Sequence, residues 1–111
     1  VSKREAIRTE QWQLLRKLKA GFETSKAQLN RLNERKALYE NDLLPQMAEQ
    51  AEASLTAYTN DDGDFAEVVR ARIAELNAKI DALNIEVDRQ KTIIQLNYYF
   101  TNNTQISGEI K

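Results

Sequence analysis

The stretch that decides the fold is Tyr58-Thr59-Asn60-Asp61-Asp62-Gly63-Asp64-Phe65, because it interrupts a chain that is otherwise patterned as helix. Asn, Asp and Gly leave helices readily and tolerate unusual backbone angles, so residues 60–63 predict a reversal of the chain. Asp64, followed three residues later by Glu67, has the pattern of a capping box at the start of a second helix. The sequence therefore predicts two long helices joined by a tight turn.

Both flanking segments carry apolar residues at alternating spacings of four and three, which is the pattern of a coiled-coil seam. After the turn the seam residues are Val69, Ile73, Leu76, Ile80, Leu83, Val87, Gln90 and Ile94. A stripe of small residues lies beside them: Ala71, Ala74, Ala78 and Ala82. Before the turn the seam is Leu15, Leu18, Phe22, Ser25, Leu29 and Leu32, then, after a shift, Leu44, Met47, Ala51, Leu55 and Tyr58. Folding at the turn is expected to bring the two seams together, with Leu44 near Ile80.

These patterns predict an all-α fold, a long antiparallel helical hairpin of the coiled-coil type with its tip near residues 59–64. The first helix is expected over about residues 2–58 and the second over about residues 65–100. Pro45 is expected to kink or split the first helix, because proline lacks an amide and clashes with the preceding turn.

The hairpin is expected to occupy residues 1–100. Residues 101–111 lose the helical period and are expected to form an irregular or extended tail. The aromatic run Tyr98-Tyr99-Phe100 is interpreted as the end of the helical core. Because the sequence starts within a helical pattern, we expect a segment of a larger protein.

Composition argues against several classes of function. The 111 residues include neither Cys nor His, so the usual zinc ligands and His-assisted nucleophiles are missing. The Asp-rich turn does not fit an EF-hand, since placing Gly63 at its sixth position puts Tyr58 and Val69 where carboxylates are needed. No apolar run approaches the roughly 20 residues of a membrane-spanning helix. We therefore expect no enzymatic activity, catalytic residue, cofactor or metal site.

Charge is distributed unevenly along the chain. Residues 1–36 hold ten Lys or Arg and four Asp or Glu, whereas residues 37–79 hold three and nine. The basic segment could form a nucleic-acid-binding arm, but its charges are mixed with Glu and favour a solvated coiled-coil face. The acidic segment brackets the predicted turn.

The order and spacing of one set of residues resemble the second periplasmic hairpin of the outer-membrane efflux channel family, the TolC-like proteins. These residues are Leu43-Leu44-Pro45, Ala51, Ala57-Tyr58, Asp64-Phe65, Val68-Val69 and Ala71. The resemblance covers about residues 38–96. Two positions depart from it: Asp61 stands at the family's usual turn glycine, with Gly63 two residues later, and Arg70 stands where the family often has Asp.

The resemblance implies a trimeric duct in the outer membrane of a Gram-negative bacterium, to which this segment contributes part of the periplasmic α-barrel. The hairpin tips would close the entrance and dock with a membrane-fusion adaptor that leads to an inner-membrane pump. Contact with the membrane would be made by a part outside this chain, and nucleic acid is not expected as a partner. The expected tip residues are Tyr58, Asp61, Asp62, Gly63, Asp64, Phe65, Glu67, Val68 and Arg70.

Two alternatives remain open at this point. One is the coiled-coil hairpin of the adaptor itself, which an extended segment at the end of the chain would favour. The other is a generic coiled-coil interaction module. The isolated chain is expected to self-associate, because one hairpin leaves apolar surface uncovered.

Overall fold

The computed structural model describes residues 2–110, with the side chains of residues 2–106 and 108. Helix α1 spans Lys3–Leu38, a π-helical turn spans Tyr39–Leu43, helix α2 spans Leu44–Thr59 and helix α3 spans Phe65–Ile110. There is no strand among the described residues. The structure therefore confirms the predicted all-α helical hairpin.

Two compact units divide the chain. The tip unit is Leu32–Asp88 and contains the reversal between α2 and α3. The terminal unit consists of Val1–Arg31 and Arg89–Lys111.

The irregularity expected at Pro45 takes the form of the π turn. The Leu44 amide donates to the Tyr39 carbonyl five residues earlier, instead of to the carbonyl four residues earlier. Proline at the next position has no amide to donate, and its ring would press against the Asn41 carbonyl of a regular helix. The wider π turn relieves that clash, because it moves the carbonyls away from the ring.

The π turn also explains the shift in the sequence pattern. Before and within it, the buried or half-buried positions of the tip unit include Leu32, Lys36, Tyr39 and Leu43. After it they include Met47, Ala51 and Ser54, each one position later than a regular spacing of three and four would place them. A π turn holds one extra residue, so the inward face of the chain continues without rotation from α1 into α2.

The inward face of α3 in the tip unit differs from the predicted seam. Its buried and half-buried residues include Val68, Ala71, Glu75, Ala78, Ala82 and Ile85. The predicted seam from Val69 to Val87 is exposed, Ile80 by 55%, so the expectation that this seam is buried between the two helices is wrong. The turn fixes Val68 as the first inward residue, and a shift of one residue rotates a helix face by about 100°.

In the terminal unit, the contact between helices combines apolar and polar side chains. Leu18 and Ser25 of α1 and Thr92 of α3 are buried there. Every buried side-chain nitrogen or oxygen of the described residues has a hydrogen-bond partner. The Tyr99 ring lies against Gly21, where a Cβ would come within 2.7 Å of two ring atoms. Of the predicted aromatic cluster, Tyr99 is half-buried, whereas its two neighbours are exposed.

The expectation of an irregular tail is wrong for residues 101–110, because α3 continues to Ile110. The half-buried residues Tyr99, Asn103 and Ile106 maintain the spacing of four and three, so packing continues past the point where helix propensity falls. The Asn102 side-chain amide donates to the Tyr98 carbonyl at 2.8 Å. Lys111 lies outside the described residues.

Candidate docking tip and exposed stripe

Helix α2 ends in a Schellman motif. The Asp62 amide donates to the Ala57 carbonyl at 2.8 Å, and the Asp61 amide donates to the Tyr58 carbonyl at 3.2 Å. Asp61 has a φ of 63°, the left-handed conformation that this motif requires at its turning residue. Two carbonyls of the last helical turn are thereby satisfied.

Asp61 and Gly63 contribute to the turn in different ways, one by its backbone conformation and the other by its lack of a side chain. The left-handed position is occupied by Asp61, and Gly63 does not have a positive φ. Gly63 is needed for space instead, because a Cβ there would lie 2.8 Å from the Tyr58 backbone nitrogen and 3.0 Å from the Ala57 Cβ. The close approach of Gly63 to the end of α2 fixes where the chain enters α3.

Asp64 caps the start of α3. Its Oδ1 accepts a hydrogen bond of 3.2 Å from the Ala66 amide, and its carbonyl accepts from the amides of Glu67 and Val68 at 3.0 and 3.3 Å. In the described part of the chain, the Glu67 carboxylate makes no return bond to the Asp64 amide. The predicted N-cap is therefore confirmed, but the reciprocal half of the capping box is not formed.

An aromatic pair stands at the surface of the tip. The rings of Tyr58 and Phe65 have centroids 5.7 Å apart and are tilted by 56°, so they fasten the last turn of α2 to the first turn of α3. Tyr58 is 44% exposed and Phe65 is 60% exposed. Val68, also expected at the tip surface, is buried in the helix contact, while Arg70 is exposed.

The segment from the π turn to the first turn of α3, which includes the tip, carries an excess of negative charge. From Ala37 to Val69 the chain has no Lys or Arg and eight exposed carboxylates: Glu40, Asp42, Glu49, Glu52, Asp61, Asp62, Asp64 and Glu67. Such a surface attracts cationic partners and repels anionic ones. No group of three acidic residues in the described chain is arranged to hold a metal ion.

Behind the tip, Arg72 joins α2 to α3. Its Nη2 donates to Glu52 of α2 at 3.0 Å, and its Nη1 donates to Glu75 of α3 at 3.1 Å. The hydrogen bonds to Glu52 and then to Glu75 raise the pKa of Arg72 above its usual value. Glu75 is buried and has Lys79 Nζ at 3.8 Å as a second cation, so the carboxylate on the inward face is paired.

A continuous apolar stripe on α3 remains uncovered in the tip unit. We define the stripe as Val69, Ile73, Leu76, Ile80, Leu83 and Val87, whose exposed fractions lie between 40% and 63%. Full burial of such a side chain contributes about 1.5–3 kcal/mol, so covering six half-exposed ones would contribute on the order of 5–9 kcal/mol. A contiguous exposed apolar surface of six large side chains usually marks an interface.

A small cleft beside the π turn offers little room for a ligand. It measures about 130 Å³ and is lined by Lys36, Tyr39, Glu40, Ala82 and Glu86. Lys36 Nζ lies 3.2 Å from Glu86 and 3.9 Å from Glu40, so its charge is paired. Small-molecule sites usually measure about 300–1,000 Å³. The tip and the stripe are therefore stronger candidates for function than this cleft.

Comparison with protein-family models, with curated proteins and with solved structures finds no match to this chain. Within residues 2–110, no helix combines the length and the apolar character that a membrane span needs.

Proposed function

We propose that this chain is a hairpin of an outer-membrane export duct and that its tip docks with a periplasmic adaptor. The observation that carries the proposal is the left-handed backbone of Asp61. In the resemblance to the TolC-like family, Asp61 stands where those channels usually have glycine, the residue best suited to that conformation. The turn thus bends at the position that the resemblance assigns, although the glycine of this chain lies two residues later.

The chemistry of the tip supports a docking role. Tyr58 and Phe65 offer exposed aromatic surface of the kind that anchors protein interfaces, and the surrounding carboxylates favour a basic partner. In a trimer, several such tips around one entrance would favour the passage of cations over anions. The duct itself would be passive, with transport driven by the inner-membrane pump.

One observation counts against the alternative that this chain is the coiled-coil hairpin of the adaptor. It was favoured by an extended segment at the end of the chain, and residues 101–110 are helical instead. The duct is therefore the function that we put forward.

The test neutralises the tip charge in the protein expressed in its own cells. Asp61, Asp62 and Asp64 are changed to Asn and Glu67 to Gln, which preserves the size of each side chain and a capping group at position 64. We expect weaker cross-linking to the adaptor and a changed range of exported compounds, with helical content preserved.

A matched control removes four exposed carboxylates away from the tip by the same chemistry: Glu10, Glu23, Glu34 and Asp81. It should leave both cross-linking and export as they are. Unchanged adaptor cross-linking and unchanged export in the tip variant would refute the docking role.

A further inference from the structure

The turn contains the pair Asp62-Gly63, in which an aspartate is followed by the residue that crowds its own amide least. The side-chain carboxyl carbon of an aspartate lies at the right number of bonds from the next backbone nitrogen to close a five-membered ring. Ring closure needs an amide that is not held in another hydrogen bond and a carboxyl group that is free to turn toward it. A regular helix or a bulky following residue hinders this reaction.

Asp62 meets both conditions. Its side chain is exposed, and within residues 2–110 its carboxylate accepts no hydrogen bond and forms no ion pair. In the same range the Gly63 amide donates no hydrogen bond, although the Asp62 amide before it is held by the Ala57 carbonyl. The turn is thus anchored as far as the Asp62 nitrogen and leaves the next amide unbonded.

The other aspartates lack one of these conditions. The amide that follows Asp61 donates to the Ala57 carbonyl at 2.8 Å, and the Asp64 carboxylate accepts from the Ala66 amide at 3.2 Å. The remaining aspartates lie within the π turn or α3, where the following amide takes part in helical hydrogen bonding: Asp42, Asp81 and Asp88. The reaction is therefore expected at one position of the chain.

We propose that Asp62 is a site of spontaneous covalent isomerisation. The Gly63 nitrogen attacks the side-chain carboxyl carbon of Asp62, a carbon–nitrogen bond forms, and the carboxyl hydroxyl leaves with the amide proton as one water molecule. Water then adds to either carbonyl of the cyclic imide and opens it. Opening at one carbonyl restores aspartate, and opening at the other gives isoaspartate. One water is released and one is consumed, so the product has the mass and the oxidation state of the starting chain.

The product changes the geometry of the tip. In isoaspartate the Asp62 Cβ becomes part of the main chain, so the link from Asp62 to Gly63 is one carbon longer. Gly63 lies close against the end of α2, where even an added Cβ would come within 2.8 Å of the Tyr58 nitrogen. The longer link displaces Gly63 from this position, so the converted chain is less stable. The isomerisation is independent of the docking role, since it depends on the turn alone.

The first experiment incubates the full 111-residue chain for several weeks in warm neutral buffer. Isoaspartate is located in digests of successive samples by mass spectrometry with electron-transfer fragmentation, which breaks the lengthened main chain at a distinct bond. We expect conversion at residue 62 to be several-fold faster than at any other aspartate, with a lower urea midpoint for the converted fraction. Asp62→Glu keeps the charge but needs a larger ring, so this position should then stay unconverted.

The second experiment separates the effect of the turn from that of the Asp-Gly sequence. Ala82→Gly places a glycine after the exposed Asp81 inside α3, and circular dichroism verifies that the helix is retained. Residue 81 of this variant should convert several-fold more slowly than residue 62 in buffer, and the two should convert at similar rates in urea. Absence of isoaspartate at residue 62, or equal conversion at residues 62 and 81 in the folded variant, would overturn the proposal.

Discussion

Ala78 is 6% exposed, whereas Ile80, two positions further along α3, is 55% exposed. The smaller residue faces inward in the tip unit, and the larger one faces outward. Small residues on the inward face let the helices approach closely, so the hairpin closes without its most apolar seam. That seam therefore remains exposed on the outer face of α3.

The turn provides a first prediction. Gly63→Ala should lower the free energy of unfolding by roughly 1–3 kcal/mol, because the new Cβ would lie 2.8 Å from the Tyr58 backbone nitrogen and the chain would have to move. Urea unfolding at one fixed protein concentration measures this, since self-association adds to apparent stability. An unchanged urea midpoint would show that the space around Gly63 is not needed.

A substitution at Asp61, two positions before Gly63, should raise the free energy of unfolding. Asp61→Gly removes the cost of a left-handed aspartate and should stabilise the chain by up to about 1 kcal/mol. The same unfolding measurement applies. A loss of stability in Asp61→Gly would contradict the Schellman assignment, since glycine is the preferred residue at that position.

Two further glycines form a matched pair in helix α3 and helix α1. Gly108→Ala meets nothing within 4 Å and should stabilise the chain by up to about 1 kcal/mol through helix propensity. Gly21→Ala should fail to give that gain, because its Cβ would come within 2.7 Å of the Tyr99 ring. Thermal unfolding compares the two variants. Equal stabilisation by both would show that the contact between Gly21 and Tyr99 contributes nothing.

The π turn can be removed as a test of its role. Deletion of Asn41 together with Pro45→Ala should give a continuous helix that retains the inward face of α2, since it takes out the one extra residue and the proline. We expect a melting temperature equal to or above that of the natural chain. Deletion of the exposed Asn33 in a regular part of α1 is the control. It should lower the melting temperature, because it rotates one part of the helix against the other by about 100°.

The ion pairs of Arg72 with Glu52 and Glu75 should contribute unequally to stability. Arg72→Met should lower the urea midpoint more than Glu52→Gln does, because only the first change leaves the buried Glu75 without its closest cation. The raised pKa of Arg72 means that the contribution is present wherever the guanidinium is charged and is lost only as pH rises through that raised value. The difference between the two variants should therefore be equal at pH 7 and pH 9. A larger effect of Glu52→Gln would contradict this account.

Local chemistry was enough to predict the helices, the turn and the cap at Asp64. Turn residues, the capping residue and the single proline each act within a few positions, so their effects can be read from neighbouring residues alone. The same holds for the irregularity before Pro45. Its form as a π turn could have been inferred from the one-residue shift of the seam, which is visible in the sequence.

Local chemistry alone could not predict which face of α3 points inward. Two stripes run side by side, and the more apolar one was expected inside, whereas the phase set by the turn directs Val68 and Ala78 inward. That phase depends on the positions of Asp61 and Gly63 in three dimensions. The helical conformation of residues 101–110 was also not predicted. Packing of the half-buried Ile106 overrides the low helix propensity of its neighbours.

The central claim is that the tip of this hairpin docks with a periplasmic adaptor. The most direct measurement places a photo-cross-linking phenylalanine analogue at Phe65, which is 60% exposed, in the protein expressed in its own cells. The account predicts a cross-linked product with a periplasmic coiled-coil adaptor that is missing when the analogue replaces the exposed Thr24. Identical products from the two positions, or a partner at Phe65 from outside the periplasm, would contradict it.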